Sequence, residues 1–168
     1  RGNDGAPVGV LSIGIDVTES AQANSEIHES EVKYRKIFET ANDVIFLFKG
    51  ETIIDCNGRT VEMFGCESRE DILALKVWEF SPKFQPDGRD SKEKAKHIIA
   101  QASAGRPQFF TWEHKRMNGE LFDAEVALSS LSIGGEIYLL AVVRDVSQAK
   151  RAENMLRSAV KGTATTTG

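Results

Sequence analysis

Positive charge is in short supply in this chain. Its 21 Lys and Arg face 25 Asp and Glu, a net −4 over 168 residues. Nucleic-acid phosphates call for a concentrated basic face, so that class of partner is not expected. Apolar runs are short as well. The longest, Ile137 to Val143, falls far below the ~20 residues of a membrane-spanning helix, so no membrane contact is expected. The opening Arg1 to Gly5 also lacks a signal peptide's apolar core. Only two cysteines occur, Cys56 and Cys66, in neither CxxC nor Cys/His spacing. They read as small buried hydrophobes in a reducing, cytoplasmic setting, with no metal site. Histidine is limited to His28, His97 and His114. There is no Gly-x-Ser-x-Gly elbow, phosphate loop or HExxH, so no catalytic residue is assigned and no enzyme activity is expected.

What the sequence does have is 40% hydrophobic residues, including nine Phe and two Trp. That is enough for one domain core with flanking segments. Two similar strand endings, Ile13-Gly14-Ile15-Asp16-Val17-Thr18 and Val142-Val143-Arg144-Asp145-Val146-Ser147, stand roughly 130 residues apart. A period of that length marks a tandem array of modules.

The first ending closes a strand read at residues 8–17. A helix capped by Thr18 or Ser20 then runs to about Ala41, with Ile27, Tyr34 and Ala41 at heptad spacing. Asp43 to Lys49 is apolar on both faces, as a central strand would be. Gly50-Glu51 turns the chain into a second strand, Thr52 to Cys56. Asn57 is the expected N-cap of a short helix to Phe64, which Gly65 ends. Ser68 to Asp71 has a capping-box pattern and is expected to open another helix through Ile72, Leu73 and Leu75. A short helical turn at Trp78 to Phe80 and a Pro/Gly loop follow.

Ser91 is the expected cap of the longest internal helix. Ala95, Ile98, Ile99 and Ala102 form its buried stripe, while Lys92, Glu93, Lys94 and Lys96 face water. Three strands come next: Gln108 to Arg116, Leu121 to Leu131 and Ile137 to Val143. An Asn118-Gly119 hairpin joins the first two. Asp145 and Ser147 then cap an outgoing helix with a seam of Ala149, Ala152, Leu156 and Ala159. The fold class expected is α+β: a five-stranded antiparallel sheet of order 2-1-5-4-3, with helices on one face and helical arms at both ends.

Four motifs occur in order: Tyr34-Arg35-Lys36-Ile37-Phe38-Glu39, Ile54-Asp55-Cys56-Asn57, Arg116-Met117-Asn118-Gly119-Glu120 and Val143-Arg144-Asp145-Val146-Ser147. In that order and spacing, residues 33 to 147 resemble the PAS domain family. The resemblance implies the last strand of a preceding PAS domain at 1–18, a linker helix at 19–40 and a PAS domain at 41–147. An outgoing signalling helix at 148–161 would follow, and 162–168 is similar to the start of a GAF domain. It further implies a cytoplasmic sensor or relay module of a multidomain signal-transduction protein, of the sensor histidine kinase or diguanylate cyclase/phosphodiesterase kind. Expected partners are a second copy, joined through the helical arms, and the neighbouring PAS, GAF and output domains.

Cofactors follow from the same resemblance. His97 lies on the long internal helix, where some PAS domains ligate haem, but the ligating position falls about one turn earlier and is Lys94 here. The light-sensing subfamily's Asn-Cys-Arg-Phe-Leu is replaced by Leu75 to Phe80, which holds no cysteine. Haem and flavin are therefore not expected, and no cofactor is assigned. What remains is a cavity between helices and sheet for a small apolar ligand. Its candidate lining is Phe46, Phe48, Met63, Phe64, Trp78, Phe80, Ile98, Trp112 and Leu128, with His114 or Trp112 supplying a polar atom. The plainer alternative, that these aromatics only fill the core, stays open. Glu113 and Glu125 are expected to pair across strands with Lys115, Arg116 and Arg144. Asp145, with Ser147, is the candidate relay hinge, and a structural dimerisation domain is the remaining alternative.

Overall fold

The computed structural model describes residues 17–163. The strand expected at 8–17 and the GAF-like segment at 162–168 lie outside them except for Val17, Gly162 and Thr163, which are helical. The chain divides into two units, Arg1–Ile37 and Phe38–Gly168. In the first, the described residues form most of α1 (Val17–Thr40), and their side chains are exposed. The last helical turn, from the buried Phe38, belongs to the second unit.

That unit holds β1 (Val44–Lys49), β2 (Thr52–Cys56), α2 (Gly58–Phe64), a single 3₁₀ turn (Val77–Phe80) and α3 (Ser91–Ser103). Then come β3 (Gln108–Lys115), β4 (Leu121–Ile133), β5 (Glu136–Asp145) and α4 (Ser147–Thr163). The five strands form one sheet in the order β2-β1-β5-β4-β3, with every neighbouring pair antiparallel. This is the α+β architecture expected. Period-two alternation sets the buried face. Val44, Phe46 and Phe48 of β1 pair with Val143, Ala141 and Leu139 of β5, and all six are buried. Phe122, Ala124, Val126 and Leu128 continue the row on β4, with Trp112 and His114 on β3. The segments between β2 and β3, with α2 and α3, pack on this face.

Three local expectations are corrected. Asn57 sits at the N-cap of α2 but makes no capping hydrogen bond. Its fully buried side chain points inward instead: Oδ1 accepts from Ile45 N (3.1 Å) and Thr60 Oγ1 (3.0 Å), while Nδ2 donates to the carbonyls of Phe38 (3.1 Å) and Asp43 (3.0 Å).

Residues 67–74 form turns, not the expected helix. Ala74 N donates to Ile53 O and Ile53 N to Leu75 O, both at 3.0 Å. Backbone committed to the free edge of β2 cannot also continue a helix. The Asp71 carboxylate accepts from the amides of Glu67 and Ser68, closing the turn locally.

At α3 the cap is Asp90, one residue before Ser91. Its carboxylate accepts from Lys92 N and Glu93 N. Ser91 is buried in the first turn, where its hydroxyl donates to Pro82 O (2.6 Å) and accepts from Gln85 Nε2 (2.9 Å). The buried Gln85 also donates to Glu113 O and accepts from Glu113 N (3.1 and 2.9 Å). Those two contacts satisfy backbone at the outer edge of β3, an edge that would otherwise invite pairing with another chain.

Candidate functional site

Between the sheet and α3 lies a cavity of about 70 Å³. From β1 it takes Phe46 and Phe48, and from β2 Ile53. The 3₁₀ turn gives Val77 and Phe80, and α3 gives Ala95, Ile98 and Ile99. Phe110, Trp112 and His114 come from β3, Val126 and Leu128 from β4, and Ala141 and Val143 from β5. Of the residues proposed from the sequence, Phe46, Phe48, Phe80, Ile98, Trp112, His114 and Leu128 are brought together here.

Met63, Phe64 and Trp78 are not. Phe64 is fully buried one layer away, at the centre of an aromatic cluster with edge-on contacts to Phe46, Phe80, His114 and Phe122 at 5.2–5.7 Å. Trp78 is half-buried and lies under the ammonium groups of Lys92 and Lys96, 5.6 and 5.9 Å from the ring centre. Met63 packs beside the core, and its carbonyl accepts from Arg116 Nη1. Lys94, expected to face water, is only 16% exposed. It reaches Asp87 at 2.8 Å and lies 5.4 Å from the Trp112 ring centre. His97 is exposed on α3.

The lining carries few polar atoms. Trp112 Nε1 is already committed, donating to Ser81 Oγ at 2.8 Å. His114 is 8% exposed, and its Nδ1 lies 3.2 Å from Phe80 O. A carbonyl only accepts, so the proton sits on Nδ1 and leaves Nε2 a bare acceptor. Nε2 has no hydrogen-bond partner among the described residues. Burial pushes the imidazole pKa down to about 4, against the opposing pull of the Phe80 carbonyl and Asp145, so the ring is neutral at ordinary pH.

A line of contacts leads away from His114. Its ring stacks on Phe122 at 5.5 Å and 27°. The Arg116 guanidinium lies 4.1 Å from the centre of the Phe122 ring. Its Nη2 donates to Asp145 Oδ2 at 2.8 Å. Asp145 Oδ1 in turn accepts from Ser147 N at 2.9 Å, the first amide of α4. Burial opposes ionisation of Asp145, yet the hydrogen bonds from Ser147 and Arg116 hold its carboxyl below the ordinary value. Asp123 completes the junction: its carbonyl accepts from Val146 N, its amide donates to Ser147 Oγ, and its carboxylate meets Lys150 at 3.2 Å.

Arg116 therefore does not pair across strands with Glu113 or Glu125, as expected from the sequence. Arg144 pairs with Asp43 at 2.7 Å. The hairpin swings Arg116 beyond the last β3–β4 pair, toward the end of β5, whereas Arg144 does stand opposite Glu125 across β4 and β5, as expected, with its guanidinium turned to Asp43.

Among the described residues no cluster of three His, Cys, Asp or Glu could hold a metal ion, and no helix is long and apolar enough to cross a membrane. A family model described as "PAS domain" matches residues 42–148, well over half of the chain. A methyl sulfide methyltransferase-associated sensor of Methanosarcina acetivorans is 29% identical over 138 residues. The match covers 80% of this chain but only 13% of that protein. Among solved structures, a PAS domain of an HTR-like protein from Haloarcula marismortui superposes with TM-score 0.64 at 23% identity, covering 74% of this chain and 98% of that one. A domain of a sensory box sensor histidine kinase/response regulator from Geobacter sulfurreducens superposes with TM-score 0.58 at 27% identity, covering 71% and 96%.

Proposed function

Since the chain belongs to the PAS domain family, we propose that it is a relay: it converts a change at its cavity into a change at the root of α4. The observation that carries this reading is the clasp in which Arg116 grips Asp145 and Asp145 grips the first amide of α4. The clasp begins one ring contact from a cavity-lining side chain. Small repacking inside a close-packed core is passed on as discrete shifts at such junctions. A bias of a few kcal/mol is enough to change which arrangement is populated. The parent is a cytoplasmic sensor histidine kinase or a diguanylate cyclase/phosphodiesterase. In it the module works as a homodimer through its helical arms, beside PAS, GAF and output domains. The domain itself performs no turnover.

Replacing Asp145 tests the relay. Asp145→Ala is expected to leave β4 and β5 as protected from hydrogen exchange as before. It should speed exchange in the first turn of α4 about tenfold, the equivalent of ~1.4 kcal/mol. In the parent protein the same change should leave output insensitive to the stimulus. Unaltered exchange at the root of α4, or normal signalling, would overturn the proposal.

A second reading makes the cavity a receptor for a small molecule. His114 Nε2 favours it, because a buried acceptor without a partner is costly unless something supplies a donor.

A further inference from the structure

We infer that the cavity receives a small neutral molecule with an apolar body and a single hydroxyl group, whose proton is accepted by His114 Nε2. The inference rests on the receptor reading and adds to it the chemical class of the ligand.

Three observations converge. First, the acceptor's identity follows from geometry: with the Nδ1 proton directed at Phe80 O, the remaining ring nitrogen can only accept. A carbonyl, ether or carboxylate would set lone pair against lone pair there, and an O–H would not. Second, the rest of the lining is hydrocarbon and aromatic, with the Trp112 N–H already bound to Ser81. A water molecule needs two to four polar partners to be held well, and this lining offers it one. A hydroxyl carried on an alkyl group needs only that one, and its carbon atoms replace water against Phe46, Phe48, Val126 and Leu128. Third, size limits the body. At about 70 Å³, the cavity has about half the ~150 Å³ that accommodates benzene in a dry engineered cavity. The ligand is therefore a short-chain alcohol or an analogue of similar bulk. Charge is excluded by the same lining, since no ionised group faces the cavity to pair with it.

Propan-2-ol and acetone test this directly, because they share size and shape and differ in the donor. In the 168-residue chain labelled with 15N, propan-2-ol is expected to bind saturably. It should move the His114 Nε2 resonance upfield while leaving those of His28 and His97 in place. Acetone should bind at least roughly tenfold more weakly, the worth of one buried hydrogen bond. His114→Phe should erase that preference. If this variant does not fold, the comparison of alcohol with ketone and the Nε2 resonance of the unaltered chain decide alone. Equal affinity for the two probes, or propan-2-ol binding with Nε2 unmoved, would overturn the inference while leaving a receptor of different selectivity. Failure of both probes to bind would overturn the inference and the receptor reading together, whereas the relay stands or falls on Asp145.

Discussion

Among the buried polar side chains of the domain, Asn57 and His114 are opposite cases. Asn57 satisfies four groups at once, tying Phe38, Asp43, Ile45 and Thr60 together in the buried interior. Asn57→Ala removes all four bonds, two of them buried and two part-buried, and is expected to cost about 3 kcal/mol, read as a lower urea midpoint. Thr60→Ala, which gives up one bond, should cost about 1 kcal/mol. His114 instead leaves one atom unmatched, and its effect appears with pH. Its folded pKa of about 4 lies below the ordinary 6.5. The unfolded chain therefore takes up a proton that the folded one refuses. Stability from this group is complete above pH 6.5 and is lost as pH falls toward 4, by up to ~3 kcal/mol. Urea titrations across that window check it, and His114→Phe should flatten the decline. The Asp145 carboxyl acts in a different window, below its ordinary 3.8. Alternation made the inward face legible in Leu121 to Leu131, hence Leu128, whereas Phe46, Phe48 and Trp112 stood out as large aromatics and His114 as a polar group, with no face assigned to them. What alternation did not reveal is which part of that face is filled. Phe64 fills it at one end, and Ile53, Val77, Ala95, Ile99, Phe110, Val126, Ala141 and Val143 line the remainder. Ala95 and Ile99 belong to a stripe recognisable in the sequence, yet nothing in a helical period says what the stripe faces.

At the scale of elements, the sequence was clearest where the chain's local preference and its long-range partner agree. Asn118-Gly119 makes its turn because Gly119 takes φ 88° without strain, and the β3–β4 hairpin follows. The two strands apolar on both faces, β1 and β5, are indeed the neighbours at the middle of the sheet. Residues 67–75 show the opposite. Their local pattern favours a helix, but the unpaired edge of β2 offers backbone partners at Ile53, and tertiary pairing prevails over propensity. The cost is visible at Ala74, a non-glycine residue at φ 67°. Its side chain is exposed, so Ala74→Gly loses no packing and relieves the left-handed strain. The substitution is expected to raise stability by up to about 1 kcal/mol. An unchanged or lower thermal midpoint would show that the turn is held without strain.

For the whole molecule, the question is what the arms do when two copies meet. α4 leaves the domain with Met155 73% and Leu156 69% exposed, and its Ala149 and Ala152 are exposed as well. Among the described residues these side chains stay exposed. Three- and four-residue spacing puts Ala149, Ala152 and Leu156 on one face, the kind of seam a second parallel helix covers. A partial seam of this length gives weak association, because few apolar side chains are buried against the entropy of joining two chains. Self-association is thus expected in the micromolar range or above, and replacing Leu156 by Glu should abolish it without shifting the urea midpoint. The substitution leaves every contact of the clasp at Asp145 and Ser147 in place, so it separates the two parts of the mechanism. If sedimentation finds the same mass for both chains at all concentrations, the arms transmit without a partner, and the relay must then act by changing the angle at which a single α4 leaves the sheet.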